Sequence, residues 1–307
     1  MPTLGRRRAY GQHFLRDKAV SGKIAETAVS AAEKLGCATL LEIGPGRGAI
    51  TDPILELAHR STSLKQVILC EKDRTLAGEW KLRASEWTEK VRTDKNLGSQ
   101  GKVLSIQDAD FLELDESKWL ADAPLVVASN LPYSAGTAIF TRLAAHPDKI
   151  RTMVLMFQAE VAQRLRAEVS TKAWGSLSIW TQNRWDVTKL LTVPPGAFQP
   201  PPEVMSEVVV LVPRTQPRVT IPDSLQRANG SNDLEQIAQA EVLWEFLLKS
   251  CFTHRRKMLR AGLPKSGPLR NALESSGVDG TKRAEALEWH EWEKLFHGLL
   301  RAHQLVK

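Results

Sequence analysis

Apolar positions recur along the first two-thirds of the chain with two alternating periods. After Asp17, the residues Val20, Ile24, Ala28, Ala32 and Leu35 fall every three or four positions. That spacing predicts a helix with one buried face, and Asp17 can cap its first turn. Short, nearly continuous apolar runs follow at 38–43, 66–71, 102–107, 125–130 and 151–157. Stretches with helical spacing separate them, near 49–59, 74–92, 135–145 and 158–168. Strands apolar on both faces that alternate with helices predict an α/β fold, a doubly wound and mostly parallel sheet covered on both sides. Two later strand-like runs, 185–193 and 205–212, flank a Pro-rich segment at 194–202 and predict an antiparallel edge hairpin.

The texture changes after Val212-Pro213. Residues 213–235 are rich in Pro, Asn, Ser, Gly and Asp and read as a linker, and from 236 onward only helical periods appear. The expected organisation is one domain over 1–213 and a small all-helical domain over 214–307. The length of 307 residues agrees, since a single core stops growing at roughly 250–300 residues.

Hydrophobic residues make up 42% and charged residues 25%, an ordinary globular balance that argues against disorder. No apolar run approaches the ~20 residues of a membrane span, so no membrane partner is expected. Arg6-Arg7-Arg8 is followed by no apolar stretch, so a secretory signal is not expected either. The three cysteines, Cys37, Cys70 and Cys251, lack metal-binding spacing and read as reduced, packed thiols of a cytoplasmic protein. Seven scattered histidines give no metal-binding pair.

The net charge of +7 is unevenly placed. Residues 1–23 carry a net +5 and residues 249–270 a net +7, which leaves −5 for the rest. Two basic segments on an acidic body suit a polyanion such as RNA.

Glu42-Ile43-Gly44-Pro45-Gly46-Arg47-Gly48 follows the first strand of the alternating series and opens a helix. Glycines there let a ligand lie against the backbone. The pattern fits a dinucleotide site as well as a nucleoside site. Glu71 ends the next strand, 27 residues after Gly44, and can accept both hydroxyls of an adenosine ribose. Asp108 ends the strand after that and can accept from an adenine amine. A further strand ends in Ser129-Asn130-Leu131-Pro132-Tyr133. An exocyclic adenine amine is a poor nucleophile because its lone pair is delocalised into the ring. The Asn130 side-chain oxygen and the carbonyl that follows it can accept its two N–H bonds and stabilise the positive charge that develops. Pro132 would fix the turn, and Tyr133 would stack on an extruded base.

With these residues in view, the chain from Gly11 to about Leu263 resembles the KsgA-type ribosomal RNA adenine-N6 dimethyltransferases. Gly11-Gln12-His13-Phe14-Leu15 is similar to the family's N-terminal motif, Glu42–Thr51 to its glycine loop, and Asn130–Tyr133 to its catalytic segment. Phe157–Val161 with Arg164-Leu165 resembles its helix after the fifth strand, and Phe198–Val204 with Ser206 its F-x-P-x-P-x-V-x-S loop. The resemblance implies a Rossmann-like class I methyltransferase fold with S-adenosylmethionine as cofactor. It implies cofactor binding by Gln12, His13, Leu15, Gly44, Gly46, Glu71, Lys72, Asp108, Ala109 and Asn130. Asn130, Leu131, Pro132, Tyr133 and Phe198 would meet the target base. Phe252–Leu263 resembles the family's basic helix. With Arg6, Arg7 and Arg8, the cations Lys249, Arg255, Arg256, Lys257 and Arg260 would bind RNA. On one continuous helix, Lys249, Arg256 and Arg260 would form a phosphate stripe, and Phe252, Leu259 and Leu263 a packing stripe.

The implied activity is dimethylation of two adjacent adenines in a loop near the 3′ end of small-subunit rRNA, within a pre-ribosomal small subunit, by a protein that is monomeric when free. The alternatives are a large-subunit methyltransferase of the antibiotic-resistance type, a ribosome-assembly factor with secondary methylation, a dinucleotide oxidoreductase and a DNA adenine methyltransferase.

Overall fold

The computed structural model describes residues 13–93, 102–222 and 232–303. Gln12 and Arg6, Arg7 and Arg8 lie outside them. The chain divides into two compact units, Met1–Ala162 with Trp185–Pro213, and Gln163–Arg184 with Arg214–Lys307.

The first unit begins with β1 (Phe14–Leu15) and α1 (Lys18–Leu35). Asp17 Oδ1 accepts the backbone N–H groups of Ala19 and Val20, and Gly36 ends the helix in the left-handed region. The buried face runs through Ile24, Ala25, Ala28 and Ala32. Leu35, expected on that stripe, is the last residue of the helix and is 49% exposed. The expected alternation then follows: β2 (Thr39–Ile43), α2 (Thr51–Arg60), β3 (Gln66–Glu71), α3 (Arg74–Thr93), β4 (Val103–Asp108), α4 (Ser117–Leu120), β5 (Leu125–Asn130), α5 (Gly136–Ala144) and β6 (Ile150–Gln158). The short helix α4 is one the pattern did not predict.

Five strands are parallel, in the order β4-β3-β2-β5-β6. The sheet continues through β9 (Ser206–Pro213) to β7 (Trp185–Val193), both antiparallel to their neighbours. The edge hairpin is therefore present, with its second strand on the inside. A two-residue strand, β8 (Phe198–Gln199), pairs with β1, so the Pro-rich connection is tied to the start of the chain. Because β2 is flanked by β3 on one side and β5 on the other, the strand order reverses there, and the carboxyl ends of these strands open a crevice.

The second unit is helical. α6 (Ala159–Leu165) leads into it, and it contains α7 (Ser176–Arg184), α8 (Asn232–Thr253), α9 (Leu259–Gly262), α10 (Pro268–Ser276) and α11 (Trp289–Ala302). The boundary expected at residue 213 is not a single cut. Residues 163–184 belong with the helices because Trp174 and Ile179 are buried in the same core as Leu243, Trp244, Leu247 and Trp292.

The single basic helix expected through Phe252–Leu263 is also corrected. α8 ends at Thr253 and a turn over 254–257 precedes α9. The backbone donors beyond the turn are taken by a distant loop, Leu259 N–H by Lys282 O at 2.8 Å and Arg260 N–H by Gly280 O at 2.9 Å. The packing residues keep their role, since Leu259 and Leu263 are buried and Phe252 stacks on Trp292.

Candidate functional site

The cleft of the first unit is built from strand ends. Beyond β2, Gly44 N–H donates to Cys70 O at 2.9 Å, and the chain turns through Gly44 and Gly46 with φ of 67° and 55°. Side chains other than glycine rarely adopt such values. Two neighbours pin the loop. Glu71 Oε2 accepts Gly46 N–H at 3.1 Å, and Trp80 Nε1 donates to Gly46 O at 2.9 Å. The other Glu71 oxygen accepts Asp73 N–H at 2.9 Å. Burial pushes the Glu71 carboxyl up, and the backbone N–H groups of Asp73 and Gly46 pull it back.

Lys72 Nζ and Asp110 pair at 2.5 Å on the cleft wall, and that hydrogen bond holds the Asp110 carboxyl below its usual range. Asp108 stands beside Glu71 in the β3–β4 register, but its side chain is paired with Lys81 at 2.7 Å and does not line the cleft. Ala109, Asp110 and Phe111 line it there instead.

β5 brings the catalytic segment to the same opening. Ser129 Oγ donates to Ile43 O at 2.6 Å, which locks the ends of β5 and β2 together at the reversal point. Asn130 Nδ2 donates to His13 O at 3.4 Å, while Asn130 Oδ1 is buried with no partner among the described residues. Leu131 is buried, and Pro132 O accepts Ala135 N–H at 3.1 Å, a tight turn that carries Ser134-Ala135-Gly136 into α5. The Tyr133 ring lies 5.4 Å from the His13 ring, whose Nδ1 lies 2.9 Å from Pro200 O.

The cleft thus brings together His13, Leu15, Gly44, Gly46, Glu71, Lys72, Ala109, Asn130, Leu131, Pro132 and Tyr133. Phe198, expected to face the target base, is 3% exposed and belongs to the hydrophobic core beside Leu15, with which it pairs in β8. In the second unit, Arg255 is committed to Glu285 at 2.7 Å and to Thr171 O, and Lys249 pairs with Glu245. Arg256, Lys257 and Arg260 are exposed.

Two cleft residues received no role from the sequence. Glu42 is 2% exposed, lines the cleft and has an unpartnered Oε2, and burial pushes its carboxyl up to about 8. It is the one acid in an otherwise apolar strand, which was a legible signal. Asp110 lies two residues after Asp108 and was overshadowed by it. Burial likewise pushes the Cys70 thiol up to about 12, consistent with inert packing.

A cleft at the reversal point of a parallel sheet, beside a glycine turn, is where open α/β folds bind nucleosides and dinucleotides, and the fold that carries it here is that of the class I methyltransferases. The fold agrees with a dimethyladenosine transferase from Plasmodium falciparum, with a TM-score of 0.66 and 24% identity covering 95% of this chain and 98% of that one. It also agrees with the 23S rRNA methyltransferase ErmE, with a TM-score of 0.57 and 24% identity over 93% and 99%. More specifically, the chain belongs to the ribosomal RNA adenine dimethylase family, whose model matches residues 4–225. Proteins named ribosomal RNA small subunit methyltransferase A are similar over nearly the whole length. The one from Rhodospirillum rubrum is 34% identical over 92% of this chain and 84% of its own. The one from Geobacter sulfurreducens is 33% identical over 96% of each.

The cofactor is S-adenosylmethionine, and the cleft suits it. Glu71 presents a carboxylate at a strand end, Gly44 has open space where a side chain would stand, and Asn130 Oδ1 is a buried acceptor without a partner among the described residues. RNA is the partner. Among the described residues, no helix is long and apolar enough to cross a membrane.

Proposed function

We propose that this protein dimethylates the N6 amines of two adjacent adenines in a loop near the 3′ end of small-subunit rRNA. It would act in the cytoplasm on a pre-ribosomal small subunit, and be monomeric when free. The names carried by its relatives support the small-subunit target. The observation that carries the chemistry is Asn130 Oδ1, a buried acceptor at the cleft with no partner among the described residues.

Bound S-adenosylmethionine supplies an electrophilic sulfonium methyl, so no strong base is needed. Glu71 would release Gly46 N–H in part and accept the ribose hydroxyls, and the Gly44–Gly46 turn would let the cofactor approach the backbone. Asn130 Oδ1 and the Leu131 carbonyl accept the two N–H bonds of the adenine amine in the first transfer, and one of them accepts the single N–H that remains in the second. Those bonds favour a pyramidal nitrogen, recover its lone pair from the ring and stabilise the charge that develops on it. After each transfer the nitrogen loses its proton to water. Tyr133 stacks on the extruded base, and unpaired loop bases cost least to extrude. Arg256, Lys257 and Arg260 supply phosphate contacts.

The test is transfer of labelled methyl from S-adenosylmethionine to unmethylated small subunits, followed by nucleoside mass spectrometry, with large subunits and plain DNA alongside. Dimethyladenosine in the small subunit alone is the expected result. Transfer to large subunits or DNA would reassign the target, and binding of particles without transfer would favour an assembly factor.

A further inference from the structure

We propose that Ser206 is a positioning residue for methyl transfer, whose buried hydroxyl holds the Tyr133 ring where it meets the target adenine. The inference rests on the reading that Tyr133 stacks on that base. Tyr133 Oη and Ser206 Oγ lie 2.5 Å apart, and either hydroxyl can donate. Ser206 is 0% exposed and opens β9, where it is paired with Gln158 of β6 on one side and Val193 of β7 on the other. It is therefore held from both sides by sheet ladders.

Tyr133 has no such support from its own backbone. It stands in the turn between β5 and α5, half-buried on the cleft wall. Among the described residues, two contacts orient its ring, the tilted His13 ring at 5.4 Å and the Ser206 hydroxyl. The first is a ring contact that permits sliding. The second is directional, fixes the far end of the ring, and reaches across β6 from a strand that does not adjoin β5. A stacking platform misplaced by about 1 Å can cost up to about 100-fold in rate, so a rigid tether at Oη has a kinetic role. The phenol is not required for the chemistry itself, because no base is needed. Its hydroxyl serves Ser206 instead.

The test is a double-mutant cycle in single-turnover methyl transfer to unmethylated small subunits at saturating RNA. It uses Ser206→Ala, Tyr133→Phe, the pair combined, and Tyr133→Ala as control. Cofactor affinity is followed by calorimetry and folding by thermal melts. Ser206→Ala and Tyr133→Phe should each slow transfer about tenfold, leave cofactor affinity within about twofold, and together be no slower than either alone. A Ser206→Ala effect that persists in the Tyr133→Phe background would show that Ser206 acts through the sheet and overturn the proposal. A full rate in Tyr133→Phe would overturn it too, even if Ser206→Ala failed to fold. A full rate in Tyr133→Ala would instead bring down the stacking role of Tyr133 itself.

Discussion

The side-chain amide of Asn130 donates to the main-chain carbonyl of His13, and this single bond decides which way the amide faces. With Nδ2 occupied, Oδ1 is the atom left buried in the cleft without a partner among the described residues. Because the acceptor is main chain, a substitution of His13 retains it as long as β1 stays paired with β8.

Removal of that oxygen should therefore act on the chemical step. Asn130→Ala is expected to lower the rate of methyl transfer by about 100- to 1,000-fold, the usual cost of losing one preorganised partner of a developing charge. Cofactor affinity by calorimetry should change by less than about threefold. A large loss of cofactor affinity with an unchanged rate at saturation would place Asn130 in the wrong role.

Phe198 is a core residue in this structure, so its loss should be read in stability before activity. Phe198→Ala should cost about 3–5 kcal/mol, seen as a lower urea midpoint. Phe198→Leu, which keeps most of the buried volume, should retain most of the transfer rate. Wild-type stability with a collapsed rate in either variant would mean that the side chain leaves the core to meet the base.

Glu42 makes a pH-dependent contribution whose sign follows from its raised pKa. The native state holds the proton up to about pH 8, whereas the unfolded chain releases it near the ordinary glutamate value of 4.5. Stability from this group is full below the unfolded value and is lost as pH rises towards 8, by at most about 1.4 kcal/mol per unit. Glu42→Gln, which cannot ionise, should lack this slope, so its melting temperature relative to wild type should rise between pH 5 and 8. Parallel curves would show that Glu42 is already ionised in the native protein.

The exposed cations around α9 should account for a salt-dependent share of RNA affinity. Arg256→Glu combined with Arg260→Glu is expected to weaken binding and to lower the slope of log affinity against log salt by about 0.7–0.9 per lost contact. Arg255→Glu should mainly destabilise the helical unit, because Arg255 is spent on Glu285 and Thr171. Equal binding of the double variant at several salt concentrations would remove these residues from the interface.

The sequence by itself determined the α/β alternation, the capping of α1 by Asp17, the glycine turn after β2 and the polar residue at each strand end. Each of these is written within a few neighbouring residues, because apolar period, cap and turn chemistry act locally. Only the tertiary structure decided what joins residues far apart in the chain. The bond from Asn130 to His13 spans 117 positions, and that from Tyr133 to Ser206 spans 73. Phe198 looked base-facing from its motif and became core because pairing of β8 with β1 turns it inward beside Leu15. The basic run is periodic enough for one helix, but it turns at 254–257, and beyond the turn the loop at 280–282 takes the backbone donors of Leu259 and Arg260. Asp108, expected to accept from an adenine amine, is paired with Lys81. In each case a donor, acceptor or apolar face had competing partners, and only the folded chain brings the winning one within reach.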